Sequence, residues 1–110
     1  MVNVADPTSD PLVLNLALNL SLEFGPEWRK PIQARLRLKV PALSESDADE
    51  LNRISASTRD NAHALIERSV HQGTPAEDEA RRELREAYPW IDDETLLRLW
   101  NQGLYFAMRS

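Results

Sequence analysis

Leu12-Val13-Leu14-Asn15-Leu16-Ala17-Leu18-Asn19-Leu20-Ser21-Leu22-Glu23-Phe24 is the stretch on which the fold class turns. A large apolar residue occupies every even position, the period-two pattern of a half-buried strand. The same residues also form two rows spaced i, i+4 on a helix, Leu12/Leu16/Leu20/Phe24 and Leu14/Leu18/Leu22, with Asn15, Asn19 and Glu23 on one narrow polar stripe. The residues between the leucines are Asn, Ala and Ser, and only Val13 is β-branched. Asp10-Pro11 supplies an N-cap carboxylate and a proline at the first helical position. Gly25-Pro26 is a stop signal. The stretch therefore reads as a helix, apolar nearly all round and central to a helical bundle. The alternative is that residues 12–40 form a β-hairpin, which makes the fold α+β.

The next stretch repeats the ambiguity. Ile32, Ala34, Leu36, Leu38 and Val40 alternate with Gln33, Arg35, Arg37 and Lys39. The Arg and Leu content favours helix, with Trp28, Ile32 and Leu36 facing inward, and Pro41 ends it. Ser44 or Ser46, followed by acids, opens a long helix over residues 46–71. Its inward row is Leu51, Ile54, Thr58, Ala62, Leu65, Ile66 and Ser69/Val70, and Gly73 is its C-terminal cap. Thr74-Pro75-Ala76-Glu77 is a capping box that begins a fourth helix to Ala87. Asp92 or Asp93 caps a fifth, which runs nearly to the C-terminus. The expected architecture is all-α, an irregular or orthogonal bundle of four to five helices. Residues 1–9 form a disordered tail and residues 10–110 a single domain.

Composition narrows the function classes. The 110 residues are 42% hydrophobic and 28% charged, with three Gly, too apolar for a disordered chain. A formal net charge of −5 argues against a general nucleic-acid binder, which must neutralise phosphates. With no Cys in the chain, disulfides and thiolate metal sites are excluded. Residues 12–22 are apolar enough for a signal-peptide core, but Asp6 and Asp10 precede them with no Lys or Arg, so the positive n-region is missing. The stretch is also too short to span a bilayer. The reading is a cytoplasmic protein with no membrane segment. Eleven Arg against two Lys suggest a GC-rich bacterial genome through codon usage.

Three groups of residues invite a functional reading. His63, Glu67 and His71 share a helix face at i, i+4 and i+8, but the outer pair is ~12 Å apart along the axis. One ion cannot easily reach both, so the expectation is a solvated face and no metal. Arg29, Lys30, Arg35, Arg37 and Lys39 form a basic strip with no acid among them, while the rest of the chain nets −10. Arg29, Arg35 and Arg37 are candidates for docking an acidic partner. Internal pairing with Glu45, Asp47, Asp49 and Glu50, or a merely solvated face, are the competing readings. Five of the seven aromatics lie at Tyr88, Trp90, Trp100, Tyr105 and Phe106. Trp100, Tyr105 and Phe106 point to more than one side of the last helix. They are either partner anchors or core packing against two neighbours. Gly103, in mid-helix, suggests close approach of another backbone.

No Gly-x-Ser-x-Gly, His-Glu-x-x-His or glycine-rich phosphate loop occurs. Ser55, Ser57 and Thr58 precede His63 without an oxyanion-hole candidate. Leu84 followed by Tyr88-Pro89 resembles the end of the first helix in ubiquitin-binding CUE domains. The likeness covers few residues and the third helix of that family has no counterpart, so it carries no function here. The expectation is a non-catalytic protein without a cofactor. It binds another protein of unidentified pathway, with homodimerisation through the first or last helix as a possible accompaniment. The alternative is a DNA-binding regulator using a helix-turn-helix-like pair at 75–106. Asp92, Asp93 and Glu94 at the end that enters the groove oppose it.

Overall fold

Helix boundaries fall where side chains can satisfy the unpaired ends of the backbone. The computed structural model describes residues 6–72 and 77–109. Among these residues it contains five α-helices and no strand: α1 Pro11–Ser21, α2 Gln33–Lys39, α3 Glu45–His71, α4 Glu77–Ala87 and α5 Asp93–Arg109. The chain is all-α, with the expected number of helices, and the β-hairpin alternative over residues 12–40 is overturned. No helix of the described residues is long and apolar enough to cross a membrane. The chain gathers into two units, Met1–Ser57 and Thr58–Ser110, and α3 runs through the boundary. Residues 1–5 of the expected tail lie outside the described residues, as do Gly73 and Thr74-Pro75-Ala76 of the expected cap and capping box. Asp6 caps a 3-10 turn at Pro7–Ser9 by accepting hydrogen bonds from the Thr8 amide and hydroxyl.

In the first unit, local chemistry shows why α1 is a helix. The Asp10 carboxylate accepts from the Leu12 amide at 3.0 Å, and Pro11 holds the first position. The asparagines that break the leucine run bond back along the same helix. Asn15 Nδ2 donates to the Pro11 carbonyl and Asn19 Nδ2 to the Asn15 carbonyl, each at 2.8 Å. Ser21 Oγ donates to the Leu18 carbonyl at 2.7 Å. These i−3 and i−4 bonds let Asn15 and Ser21 be buried beside Leu14, Ala17, Leu18 and Leu20. The expected polar stripe is thus partly interior, and Leu12, at the N-terminal turn, is 83% exposed.

α2 is shorter than the period suggests. A 3-10 turn at Gly25–Glu27 intervenes, with Gly25 at φ +86° and Arg29 at φ +64°. Pro31 then disfavours helical geometry at Lys30. The helix begins only after Ile32, whose amide donates to Asn52 Oδ1 of α3 at 3.0 Å. Ile32 and Leu36 are buried as expected, while Trp28 is half-buried. Full burial of each such aliphatic side chain stabilises by roughly 1.5–3 kcal/mol. Ser44, not Ser46, caps α3 by accepting from the Asp47 amide at 3.0 Å.

In the second unit, Asp92 caps α5, accepting from the Thr95 amide at 2.8 Å. Its buried side is Leu96, Leu99, Trp100, Gly103 and Ala107. Across the unit, Ala62, Ile66, Ala80, Leu84 and Ile91 are also buried. Gly103 does mark a close approach, but a side chain makes it. A Cβ built there would lie 2.6 Å from Ile66 Cδ1 and 2.9 Å from both Cβ and Cγ2.

Candidate functional site

The basic strip separates into residues with different jobs. Arg35 is an internal clamp. Its Nη1 donates to the Leu20 carbonyl at 3.2 Å and to Glu23 Oε2 at 3.1 Å, its Nη2 to the Lys30 carbonyl at 3.4 Å, and its Nε lies 3.6 Å from Glu27 Oε2. It ties the end of α1 to the turn that follows. The expected acids at the start of α3 are not its partners; there, Gln33 Nε2 donates to Asp49 Oδ1 at 3.2 Å. Arg29 is exposed, with its guanidinium 6.0 Å from the Trp28 ring centroid. Arg37 and Lys39 are exposed and make no ion pair among the described residues. Between them Leu38 stands 82% exposed. Arg37-Leu38-Lys39 is thus an apolar point flanked by two cations.

The acids cluster elsewhere in the same unit. Asp6, Glu45, Asp47, Asp49 and Glu50 line a shallow depression with Thr8, Ser46 and Arg53. Hydrogen bonds from Thr8 hold the Asp6 carboxyl below its ordinary value. The Arg53 guanidinium, hydrogen-bonded to Glu50, does the same for that carboxyl and is itself raised.

The three aromatics of α5 are also divided. Trp100 is 4% exposed and belongs to the interior. It follows Leu96 and precedes Gly103 and Ala107 on the buried row. Phe106 is half-buried, its ring 5.4 Å from His63 and 5.4 Å from Tyr105. Tyr105 is 48% exposed and lies under the Arg109 guanidinium, 5.2 Å from ring to cation. Leu97 and Met108, 46% and 76% exposed, stand on the same side of the helix. Leu12, Leu38, Leu97 and Met108 are exposed although residue type alone marks them as core. For α5 the signal was present: once the Leu96/Trp100/Gly103/Ala107 row faces inward, Leu97, Asn101, Tyr105 and Met108 must face out.

The imidazole-carboxylate face does not assemble. His63 packs on Phe106, whereas Glu67 and His71 are exposed. No group of three or more His, Cys, Asp or Glu is placed to hold a metal ion among the described residues. Ser55 is buried and Ser57 exposed, each on α3. In the helix-turn-helix alternative, α5 would lead with Asp92, Asp93 and Glu94, all exposed, and Asp93 pairs with Arg85 of α4. No family model matches the chain, and no curated protein or solved structure is similar to it.

Proposed function

We propose that this chain is a small, non-catalytic regulatory protein of the bacterial cytoplasm that acts by binding another protein. The observation that carries the reading is Arg37-Leu38-Lys39 on α2. An exposed leucine between two cations that lack internal ion pairs among the described residues suits a partner with an apolar side chain set among carboxylates. Arg37 is the cation best fitted to grip a carboxylate bidentately. Nucleic acid is disfavoured by the net charge of −5 and by the acidic lead of α5.

Capture from native extract tests this with the intact chain as bait beside Leu38→Ser and Arg37→Glu. The expected result is an acidic protein held by the parent chain, released by salt and lost from both variants while their circular dichroism is unchanged. An identical captured set from all three baits would refute the assignment. A salt-dependent shift of duplex DNA by the parent chain would move the reading to the DNA-binding alternative.

A further inference from the structure

The exposed positions of α5 are symmetrically spaced about Asn101. Glu94, Leu97, Asn101, Tyr105 and Met108 are all exposed, and they follow one another at steps of three, four, four and three residues. At the α-helical 3.6 residues per turn they fall within an arc of about 80°. Asn101 is the centre of the pattern. Reversing the helix about Asn101 exchanges Leu97 with Tyr105, Glu94 with Met108, and Asp93 with Arg109. The half-buried Arg98 and Leu104 exchange likewise. A two-fold contact requires each residue to suit the one it exchanges with, because residue i meets j and j meets i; Leu97 with Tyr105 joins apolar surfaces, and Asp93 with Arg109 joins opposite charges.

We infer that α5 pairs antiparallel with α5 of a second copy of this chain, about a two-fold axis at Asn101. Leu97 of each copy then packs on Tyr105 of the other. Charge fixes the direction. The N-terminal end of α5 carries Asp92, Asp93 and Glu94, and its last turn carries Arg109. Antiparallel pairing sets Asp93, which also pairs with Arg85 of its own chain, near Arg109, and it also opposes the helix dipoles. Parallel pairing sets acid on acid. Asn101 suits the axis because a carboxamide both donates and accepts, so two of them can bond across it. A lone Asn in an apolar seam fixes register at some cost in strength. The row spans ~21 Å along the helix, less than an interface of about 800 Å² per partner needs, so a weak, micromolar dimer is expected.

The inference rests on the protein-binding reading only in taking exposed apolar side chains for an interface. It uses none of the α2 residues. The chain contains no cysteine, so single thiols report the geometry. Across the proposed axis, position 101 meets itself, whereas copies of position 97 stand ~12 Å apart and of position 94 ~21 Å apart along the axis. A disulfide needs Cα atoms within about 7 Å. Under mild oxidation, Asn101→Cys is expected to cross-link at least ten-fold faster than Leu97→Cys or Glu94→Cys, and a mixture of Leu97→Cys with Tyr105→Cys faster than either alone. In sedimentation equilibrium Leu97→Asp is expected to weaken the parent dimer at least ten-fold, with its helical dichroism retained. Equal cross-linking at positions 94, 97 and 101 would overturn the pairing. So would a parent chain that stays monomeric at about 1 mM, the weak limit of association. Either failure leaves capture through α2 intact. Loss of that capture, with cross-linking at position 101 preserved, would refute the α2 assignment and not the dimer.

Discussion

Replacing Gly103 by alanine sets two ordinary effects against each other. In an exposed helix interior the change stabilises by about 1 kcal/mol, because glycine loses more backbone entropy on folding. Here the new Cβ would enter Ile66, 2.6 Å from Cδ1 and 2.9 Å from Cβ and Cγ2. The Cδ1 atom can swing aside. Cβ and Cγ2 cannot, because a β-branched side chain on a helix has one strongly preferred rotamer and Ile66 is fully buried. The helices must therefore separate slightly, and overpacking of this kind costs about 1–3 kcal/mol. With two rigid atoms inside 3 Å we take the upper end. The net effect is destabilisation by about 2 kcal/mol, since about 1 kcal/mol is returned by helix propensity.

Urea unfolding followed by tryptophan fluorescence reads this directly, because Trp100 is buried three residues before Gly103. Gly103→Ala is expected to lower the midpoint by about 1 M for a slope near 2 kcal/mol per M. The melting temperature is expected to fall by about 8 °C. Ile66→Ala alone costs about 2–5 kcal/mol through the cavity it leaves. In the Gly103→Ala background it also removes Cδ1 and Cγ2 from the clash, so its cost there should fall by about 1–3 kcal/mol. A Gly103→Ala protein more stable than the parent, or an Ile66→Ala cost equal in both backgrounds, would show that Ile66 does not press on Gly103.

Arg35→Ala should lower stability by about 1–2 kcal/mol in thermal melts, because it removes four polar contacts of a mostly buried guanidinium, discounted for the partly exposed Glu23 and Glu27. Arg37→Ala should stay within about 0.5 kcal/mol of the parent; equal losses at the two positions would contradict the division of the strip. Asn52→Ala leaves the Ile32 amide without its acceptor and is expected to cost about 1–3 kcal/mol, with faster hydrogen exchange at Ile32; unchanged protection there would mean that the bond does not hold in solution. Acid should destabilise the fold in part through Asp6 and Glu50, whose carboxyls titrate below their ordinary values when folded. The unfolded chain binds more protons in that window, so their contribution is complete above the ordinary carboxylate range and is lost as pH falls through the lower folded values. Melting temperature against pH should be flatter below pH ~4 in Asp6→Asn/Glu50→Gln than in the parent, and parallel curves would contradict the assignment.

What the sequence left undecided was settled by bonds that a hydrophobic pattern does not contain. Every even position from 12 to 24 carries a large apolar side chain, so period alone fits strand and helix equally. Asn15, Asn19 and Ser21 decide it by donating to carbonyls three or four residues back. Those bonds require helical backbone, and they remove the cost of burying Asn15 that a polar-stripe reading assumes. Caps were legible because they are local: Asp10, Ser44 and Asp92 each bond an amide two or three residues on. Arg35 was not, because its acceptors lie five to fifteen residues away and include two main-chain carbonyls with no sequence signature. The last helix shows the same limit from the other side. Trp100, Tyr105 and Phe106 differ little in composition, and their fates follow from angle about the helix axis. Trp100 falls on the buried row, Phe106 between rows against His63, and Tyr105 on the exposed face centred on Asn101. A list of interface-prone residue types groups all three, whereas position on the helix sets Tyr105 on the exposed side with Leu97, Asn101 and Met108.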